Sequence, residues 1–229
     1  MCDGSGMNQL FEPDPSECRT AEIAPGAVHV PGWLNLVEQR RLVERCREWA
    51  AGPVPMRHPK VGRGGQMSVK MISLGWHWLP YRYSRTADDL DGQAVLPFPD
   101  WLKEMAKRGV ADAYGDRSAA DAYDPDAALI NFYDLKAKMG LHQDKDEKSD
   151  ASVVSISLGD TCVFRFGNTE NRNKPWTDVE LKSGDLFVFG RESRYVFHGV
   201  TKLRPGTAPP ESGLTEARLN LTIRQTGLS

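Results

Sequence analysis

Residues 218–224, Arg-Leu-Asn-Leu-Thr-Ile-Arg, alternate strictly between apolar and polar side chains. On a β-strand successive side chains leave opposite faces. Leu219, Leu221 and Ile223 therefore point one way, and Arg218, Asn220, Thr222 and Arg224 the other. The same period runs upstream. Val154, Ile156 and Leu158 alternate with Ser155 and Ser157, and Cys162, Phe164 and Phe166 with Val163 and Arg165. A turn at Ser183-Gly184-Asp185 leads into Leu186-Phe187-Val188-Phe189. Short strands separated by turns, from Ala127 onward, predict an all-β sandwich or barrel.

The front of the chain reads differently. Asn35 with Glu38 three residues on marks a capped helix start, and Val37, Leu42, Val43, Cys46, Trp49 and Ala50 form an apolar stripe ended by Gly52-Pro53. A second helix is expected from Asp100 to about Gly109, with Trp101, Leu102, Met105 and Ala106 toward the core. Residues 61–85 read as loop and short strands. The expected fold is mainly β with flanking α-helices: an antiparallel double-sheet jelly-roll core. Residues 1–20 read as a flexible tail ahead of a single domain, 21–229.

Apolar and charged shares of 40% and 26% describe an ordinary globular protein. The four cysteines, Cys2, Cys18, Cys46 and Cys162, form no Cys-x-x-Cys pair and read as reduced thiols. With no signal-like N-terminus and no 18-residue apolar run, a cytoplasmic protein is expected. A net charge of −2 argues against nucleic acid, but its distribution argues the other way. Between Trp49 and Ala87 there is no acid, while Arg57, Lys60, Arg63, Lys70, Arg82 and Arg85 give the segment +6. Trp76, Trp78, Tyr81 and Tyr83 are interleaved with these cations. Such a surface suits phosphates and unstacked bases. A solvated ribbon whose aromatics simply pack fits the same composition.

The chemistry-bearing pattern is Leu141-His142-Gln143-Asp144-Lys145-Asp146-Glu147, answered downstream by Phe197-His198. On extended backbone His142 and Asp144 share a face. Two imidazoles and one carboxylate form the facial triad of non-haem Fe(II) oxygenases. His-x-Asp alone is weak; the company it keeps strengthens it. Two guanidiniums and an amide on one face of an apolar strand are unfavourable unless they bind something anionic or planar. A dicarboxylate cosubstrate suits this arrangement, one of the two arginines clamping its distal carboxylate, and Asn131 and Tyr133, which share a face of another strand, can donate to the same ligand. Arginines paired to carboxylates elsewhere would satisfy the same pattern.

These motifs together resemble the AlkB family of iron- and 2-oxoglutarate-dependent dioxygenases. The matching stretches include Met67-Ser68-Val69, Leu74-Gly75-Trp76, Tyr81-x-Tyr83-Ser84, Ile130-Asn131-x-Tyr133, the 142–147 motif, Val153 to Gly159, Glu192-Ser193-Arg194, Phe197-His198-Gly199 and 218–224. They run in the family's order from about residue 24 to 226. The stretch Gly167 to Trp176 diverges, and Trp76 to Pro80 is shorter than the family's bacterial repair pattern.

The resemblance implies that His142, Asp144 and His198 ligate Fe(II), with 2-oxoglutarate and molecular oxygen as cosubstrates. Arg218, Asn131 and Tyr133 would hold the C5 carboxylate, and Asn220 and Arg224 would lie near the C1 carboxylate and the metal carboxylate. Residues 55–85 would form a nucleotide-recognition lid. Trp76, Tyr81, Asp146, Arg172 and Met67 would contact substrate, Trp76 by stacking on the base. His29 and His77 read as surface or packing histidines rather than ligands. The implied activity is oxidative demethylation of 1-methyladenine and 3-methylcytosine in single-stranded DNA or RNA by a monomer, with release of formaldehyde. The alternatives are a related dioxygenase acting on tRNA or protein, and a β-helix binding module without catalysis.

Overall fold

The alternation at 218–224 becomes the middle of a large antiparallel sheet. The computed structural model describes residues 19–229, so most of the expected 1–20 tail, with Cys2 and Cys18, lies outside the described residues. The chain forms β1 (Ala21–Ala24), β2 (Ala27–Val30), α1 (Leu36–Ala50), β3 (Lys60–Val61), β4 (Gly65–Gln66) and β5 (Lys70–Leu74). There follow β6 (His77–Leu79), β7 (Arg82–Ser84), α2 (Asp100–Tyr114), α3 (Arg117–Ala122), β8 (Ala127–Tyr133) and β9 (Met139–His142). Last come β10 (Val153–Gly159), β11 (Thr161–Phe166), β12 (Thr177–Leu181), β13 (Leu186–Phe189), β14 (His198–Arg204) and β15 (Arg218–Arg224).

Seven strands in the order β1-β2-β13-β10-β15-β8-β5 form the major sheet, and β12-β11-β14-β9 form the minor one. This is the expected jelly roll with helices outside. Leu219, Leu221 and Ile223 of β15 join Ile130, Ile156 and Leu158 in a core shared with Leu42, Val43 and Cys46 of α1 and Leu102, Ala106 and Val110 of α2. A second core fills the space between the sheets, where Phe164 and Phe166 of β11 meet Phe187 and Phe189 of β13. Covering one sheet face with helices forces the polar set of β15 inward, into that inter-sheet space.

The helix starts were legible and their extents less so. Asn35 Oδ1 accepts from Glu38 N at 3.0 Å while Glu38 accepts from Asn35 N at 3.0 Å, the reciprocal cap expected at α1. Helix α2 continues past Gly109 to Tyr114. Gly109 has no positive φ, and an added Cβ would meet the Leu186 methyls of β13 at an ordinary contact distance of 3.4 Å, so the glycine sits inside the helix without ending it. Trp101, expected in the core, is 41% exposed and stacks on Trp49 with ring centroids 5.8 Å apart. Cys46 and Cys162 are buried free thiols. Among the described residues no helix is long and apolar enough to cross a membrane.

The segment 55–85 is composite. Strand β5 belongs to the major sheet, while β3–β4 and β6–β7 make two short ribbons. In β6–β7, Leu79 pairs with Arg82 across the two-residue turn Pro80-Tyr81. Tyr81 adopts φ 69°, unusual for a residue with a bulky side chain, and its ring is 78% exposed.

Candidate active site

The register of the minor sheet assembles the first part of the site. His198, at the start of β14, pairs directly with His142, at the end of β9, so their rings stand 4.5 Å apart by centroid. Only a glycine fits after His198: a Cβ on Gly199 would approach Met139 O to 2.5 Å, at the register shift between β14 and β9. Asp144 follows two residues beyond His142. Its carboxylate oxygens lie 3.5 Å from His142 Nε2 and 3.7 Å from His198 Nε2. Ligand atoms of all three residues fall within 4.8 Å of one another.

Each histidine is oriented by its other ring nitrogen. Nδ1 of His142 lies 2.9 Å from Gly140 O, and Nδ1 of His198 lies 3.0 Å from Val196 O. A carbonyl only accepts, so Nδ1 carries the proton and the Nε2 lone pair points toward Asp144. Burial, then the neighbouring His142, lowers the His198 pKa to about 4, so this imidazole is neutral near pH 7. Burial would raise the Asp144 carboxyl, but Arg224 and then His198 outweigh it and hold the group well below the usual carboxylate range. Arg224 Nη2 donates to Asp144 Oδ1 at 2.8 Å, while Asp144 Oδ2 is buried with no hydrogen-bond partner. Burial would lower the His142 pKa, but the neighbouring Asp144 carboxylate outweighs it and raises the value. The two Nε2 atoms, with the unsatisfied carboxylate oxygen, make a donor set that fits a divalent iron ion, which would take the place of any proton on Nε2.

The major sheet supplies the second part. Arg218 pairs with Tyr133 and Asn220 with Asn131 in the β15–β8 register, which places all four on the inner face. Arg218 is 1% exposed and forms no ion pair among the described residues. Its Nη2 donates to Ser157 Oγ at 2.8 Å and its Nη1 to Asp160 O at 3.4 Å, leaving Nε without a partner. Asn131 Oδ1 is likewise unsatisfied. Burial pushes the Tyr133 phenol well above its ordinary pKa, so its hydroxyl remains a donor. A guanidinium this deep without a carboxylate is unfavourable unless a ligand brings one. The pairing of these arginines to protein carboxylates elsewhere therefore holds for Arg224, which meets Asp144 and Glu147, and fails for Arg218.

A cavity of about 580 Å³ joins the two parts and opens past the ribbons. It is lined by the triad, by Asn131, Tyr133, Arg218, Asn220 and Arg224, and nearer the mouth by Met67, Tyr81, Asp146 and Arg172. Asn220 Nδ2 donates to Ser155 Oγ at 2.7 Å, and Arg172 Nε to Leu141 O at 2.7 Å.

Trp76 is not brought to this cavity. Gly75, at φ +74°, turns the chain where a Cβ would stand 2.0 Å from Asp126 O. The next side chain is thereby tucked inward: Trp76 is 6% exposed, donates from Nε1 to Asp126 Oδ2 at 2.8 Å and carries the Arg85 guanidinium 3.5 Å above its ring. The ring expected to stack on a base is instead buried away from the cavity. Trp78, to which the sequence assigned no role, lines the cavity and donates from Nε1 to Asp146 Oδ2 at 2.8 Å. Its signal was available: Trp78 lies at the strand register opposite Tyr83, inside the basic aromatic segment. His77 and His29 pack as expected, His77 against Asp89 and Arg57 and His29 against Asp185.

Glu147, the last residue of the 142–147 motif, carried no expected role. Its side chain is fully enclosed and accepts from Arg224 Nη1 and Arg194 Nη2, each at 3.0 Å, and from the Tyr83 hydroxyl. Burial would raise its pKa; Arg224, Tyr83 and Arg194 lower it below the ordinary value, keeping it ionised.

The sequence profile of the 2OG-Fe(II) oxygenase superfamily matches residues 26–224. The chain is 34% identical over 224 residues to a protein of Arabidopsis thaliana named DNA N(6)-methyladenine demethylase ALKBH1C, covering 89% of this chain and 49% of that one. It thus spans about half the length of that relative. It is 37% identical over 213 residues to the alpha-ketoglutarate-dependent dioxygenase AlkB of Escherichia coli, covering 90% of this chain and 92% of that protein. Among solved structures, OsALKBH1 superposes with a TM-score of 0.79 at 34% identity, over 90% of this chain and all of that one.

Proposed function

The chain belongs to the AlkB family within the 2OG-Fe(II) oxygenase superfamily, and from that premise we propose that it oxidatively demethylates N-methylated bases in nucleic acid. The observation that carries the cosubstrate is Arg218, a buried guanidinium without a carboxylate partner, in the same cavity as an open His142–Asp144–His198 triad. When bound, Fe(II) with 2-oxoglutarate and oxygen supplies the oxidation: an N-methyl group is hydroxylated, succinate and carbon dioxide form, and the hemiaminal releases formaldehyde.

The protein's own residues bind, orient and exclude water. His142, Asp144 and His198 hold the iron, with Arg224 fixing the angle of the Asp144 carboxylate. Arg218 would hold the far carboxylate of 2-oxoglutarate, with the Tyr133 hydroxyl donating beside it and Asn131, whose Nδ2 makes only long contacts of 3.4 and 3.5 Å to Asn220 and Thr222, turning its amide toward the same ligand. Asn220 braces that row through Ser155. Residues 55–85 act as the lid, and in place of Trp76 the stacking ring is Trp78, with Tyr81 at the exposed ribbon tip. A base within a duplex cannot reach this depth, so the nucleotide is extruded, most readily from a single strand or a mispaired site.

Asp146 selects among lesions. Methylation at N1 of adenine or N3 of cytosine leaves the ring cationic, and the carboxylate beside Trp78 favours such a base over neutral N6-methyladenine. The name of the Arabidopsis relative, a DNA N(6)-methyladenine demethylase, supports a second reading, in which N6-methyladenine is the substrate. The test is formaldehyde release from oligonucleotides carrying 1-methyladenine, 3-methylcytosine or N6-methyladenine, as DNA and as RNA. The proposal expects the two cationic lesions to lead in kcat/KM. A preference for N6-methyladenine establishes the second reading, and no release from any oligonucleotide refutes both.

A further inference from the structure

The β6–β7 ribbon is fastened to the metal-binding loop by one cross-strand pair. Trp78 and Tyr83 sit directly opposite each other in the ribbon register, so their side chains share a face. Trp78 Nε1 reaches Asp146 at 2.8 Å, and the Tyr83 hydroxyl reaches Glu147 Oε1 at 2.5 Å. Two neighbouring rings thus grip consecutive acids of the 142–147 motif.

The two contacts lead to different places. Asp146 faces the mouth of the cavity, whereas Glu147 is the hub of a buried network around Asp144. Arg224 bridges Glu147 Oε1 at 3.0 Å to Asp144 Oδ1 at 2.8 Å. Arg194, 2% exposed, bridges Glu147 Oε2 at 3.0 Å to the backbone carbonyl of Asp144. Tyr83 is the member of this network that comes from the ribbon, and its oxygen also accepts from Arg224 Nη1 at 3.0 Å. Removing the hydroxyl would take a donor from Glu147 and an acceptor from Arg224 while leaving every iron ligand in place.

We propose that Tyr83 is a positioning residue: its hydroxyl ties the order of the ribbon to the arginine that sets the angle of Asp144, so that metal binding and ribbon order reinforce each other. The inference rests on the metal-site reading above. Coupling of this kind is reciprocal, since a group that strengthens metal binding when the ribbon is ordered must order the ribbon when metal binds.

Manganese(II), which binds such sites without redox chemistry, is the probe. In the unaltered protein, addition of Mn(II) should slow amide exchange across residues 77–84 by roughly fivefold, the low end of coupling between linked sites. Tyr83→Phe, which keeps the ring, should weaken Mn(II) binding by a similar, roughly fivefold factor in calorimetric titration and abolish the metal-dependent protection. A hydroxyl that merely supports the fold would lower the melting temperature and leave Mn(II) affinity unchanged. Ribbon exchange that ignores Mn(II) in the unaltered protein overturns the proposal without any variant, as does a Tyr83→Phe protein that binds Mn(II) like the original. Neither readout depends on the nucleic-acid substrate, so failure here is separable from absence of formaldehyde release.

Discussion

Arg218→Met should have opposite consequences for the free and the cosubstrate-bound protein. The Arg218 guanidinium is 1% exposed, with one short hydrogen bond, to Ser157 Oγ at 2.8 Å, and a weak one to Asp160 O at 3.4 Å. Replacing it removes a buried charge that no ion pair among the described residues compensates, which favours the variant. It also leaves Ser157 Oγ unsatisfied, a loss of ~1–3 kcal/mol. These effects oppose, so the free protein should melt within ~4 °C of the original, the equivalent of about 1 kcal/mol at this chain length. The cosubstrate sees no such cancellation. Losing one partner of a buried, hydrogen-bonded charge pair costs ~2–5 kcal/mol, or about 30- to several-thousand-fold in Kd at ~1.4 kcal/mol per decade. The assay is thermal melting of the Mn(II)-loaded protein with and without 2-oxoglutarate, followed by calorimetric titration. At a hundredfold excess over its Kd the unaltered protein should gain ~2.7 kcal/mol, roughly 5–10 °C, and the variant at the same concentration should gain less than ~1 kcal/mol. A variant that keeps that ligand-dependent rise, or whose affinity drops less than about threefold (~0.65 kcal/mol), would show that the cosubstrate carboxylate is held elsewhere.

Asp144→Ala should abolish Mn(II) binding by calorimetry and turnover by succinate assay, because it removes the anionic ligand and leaves Arg224 facing a gap. The two tryptophans should separate cleanly. Trp78→Ala should weaken oligonucleotide binding by ~1–3 kcal/mol in fluorescence anisotropy while the melting temperature stays close to the original. Trp76→Ala should destabilise the fold by ~3–5 kcal/mol in denaturant melts, and a stable variant with poor oligonucleotide binding would restore Trp76 to the base site. Asp146→Asn should lower kcat/KM for 1-methyladenine and 3-methylcytosine at least tenfold, about 1.4 kcal/mol, with a smaller effect on N6-methyladenine; equal losses on all three would remove its role in reading base charge.

What could be read from the sequence was what local pattern determines. The period of two at 218–224 gave both faces of β15 correctly, because a strand with helices over one side has no freedom about which face goes in. The triad was legible for a related reason: His142 and Asp144 are two apart, and His198 answers them within a recognisable motif. Arg218 was legible as costly, and it lies 1% exposed with its Nε unpartnered. Trp76 misled because its fate is decided by Asp126, fifty residues away, and by the positive φ of Gly75. Neither is visible in the spacing of aromatics. The Glu147 hub escaped notice because it is assembled from four separated segments, through Tyr83, Glu147, Arg194 and Arg224. Gly109 looked like a helix end, yet it lies inside α2, packed over Leu186, because tertiary packing outweighs the weak local preference of one glycine.

The central claim is that the cavity oxidises a methyl group carried by a base. The direct measurement is a limited-cosubstrate reaction on a single-stranded oligonucleotide containing one 1-methyladenine, with succinate, formaldehyde and unmodified adenine quantified together. The account predicts formaldehyde and restored adenine in equal amounts, each close to the succinate formed, and none of the three in the Asp144→Ala protein. Succinate formed without formaldehyde, or restored adenine formed without 2-oxoglutarate, would contradict it.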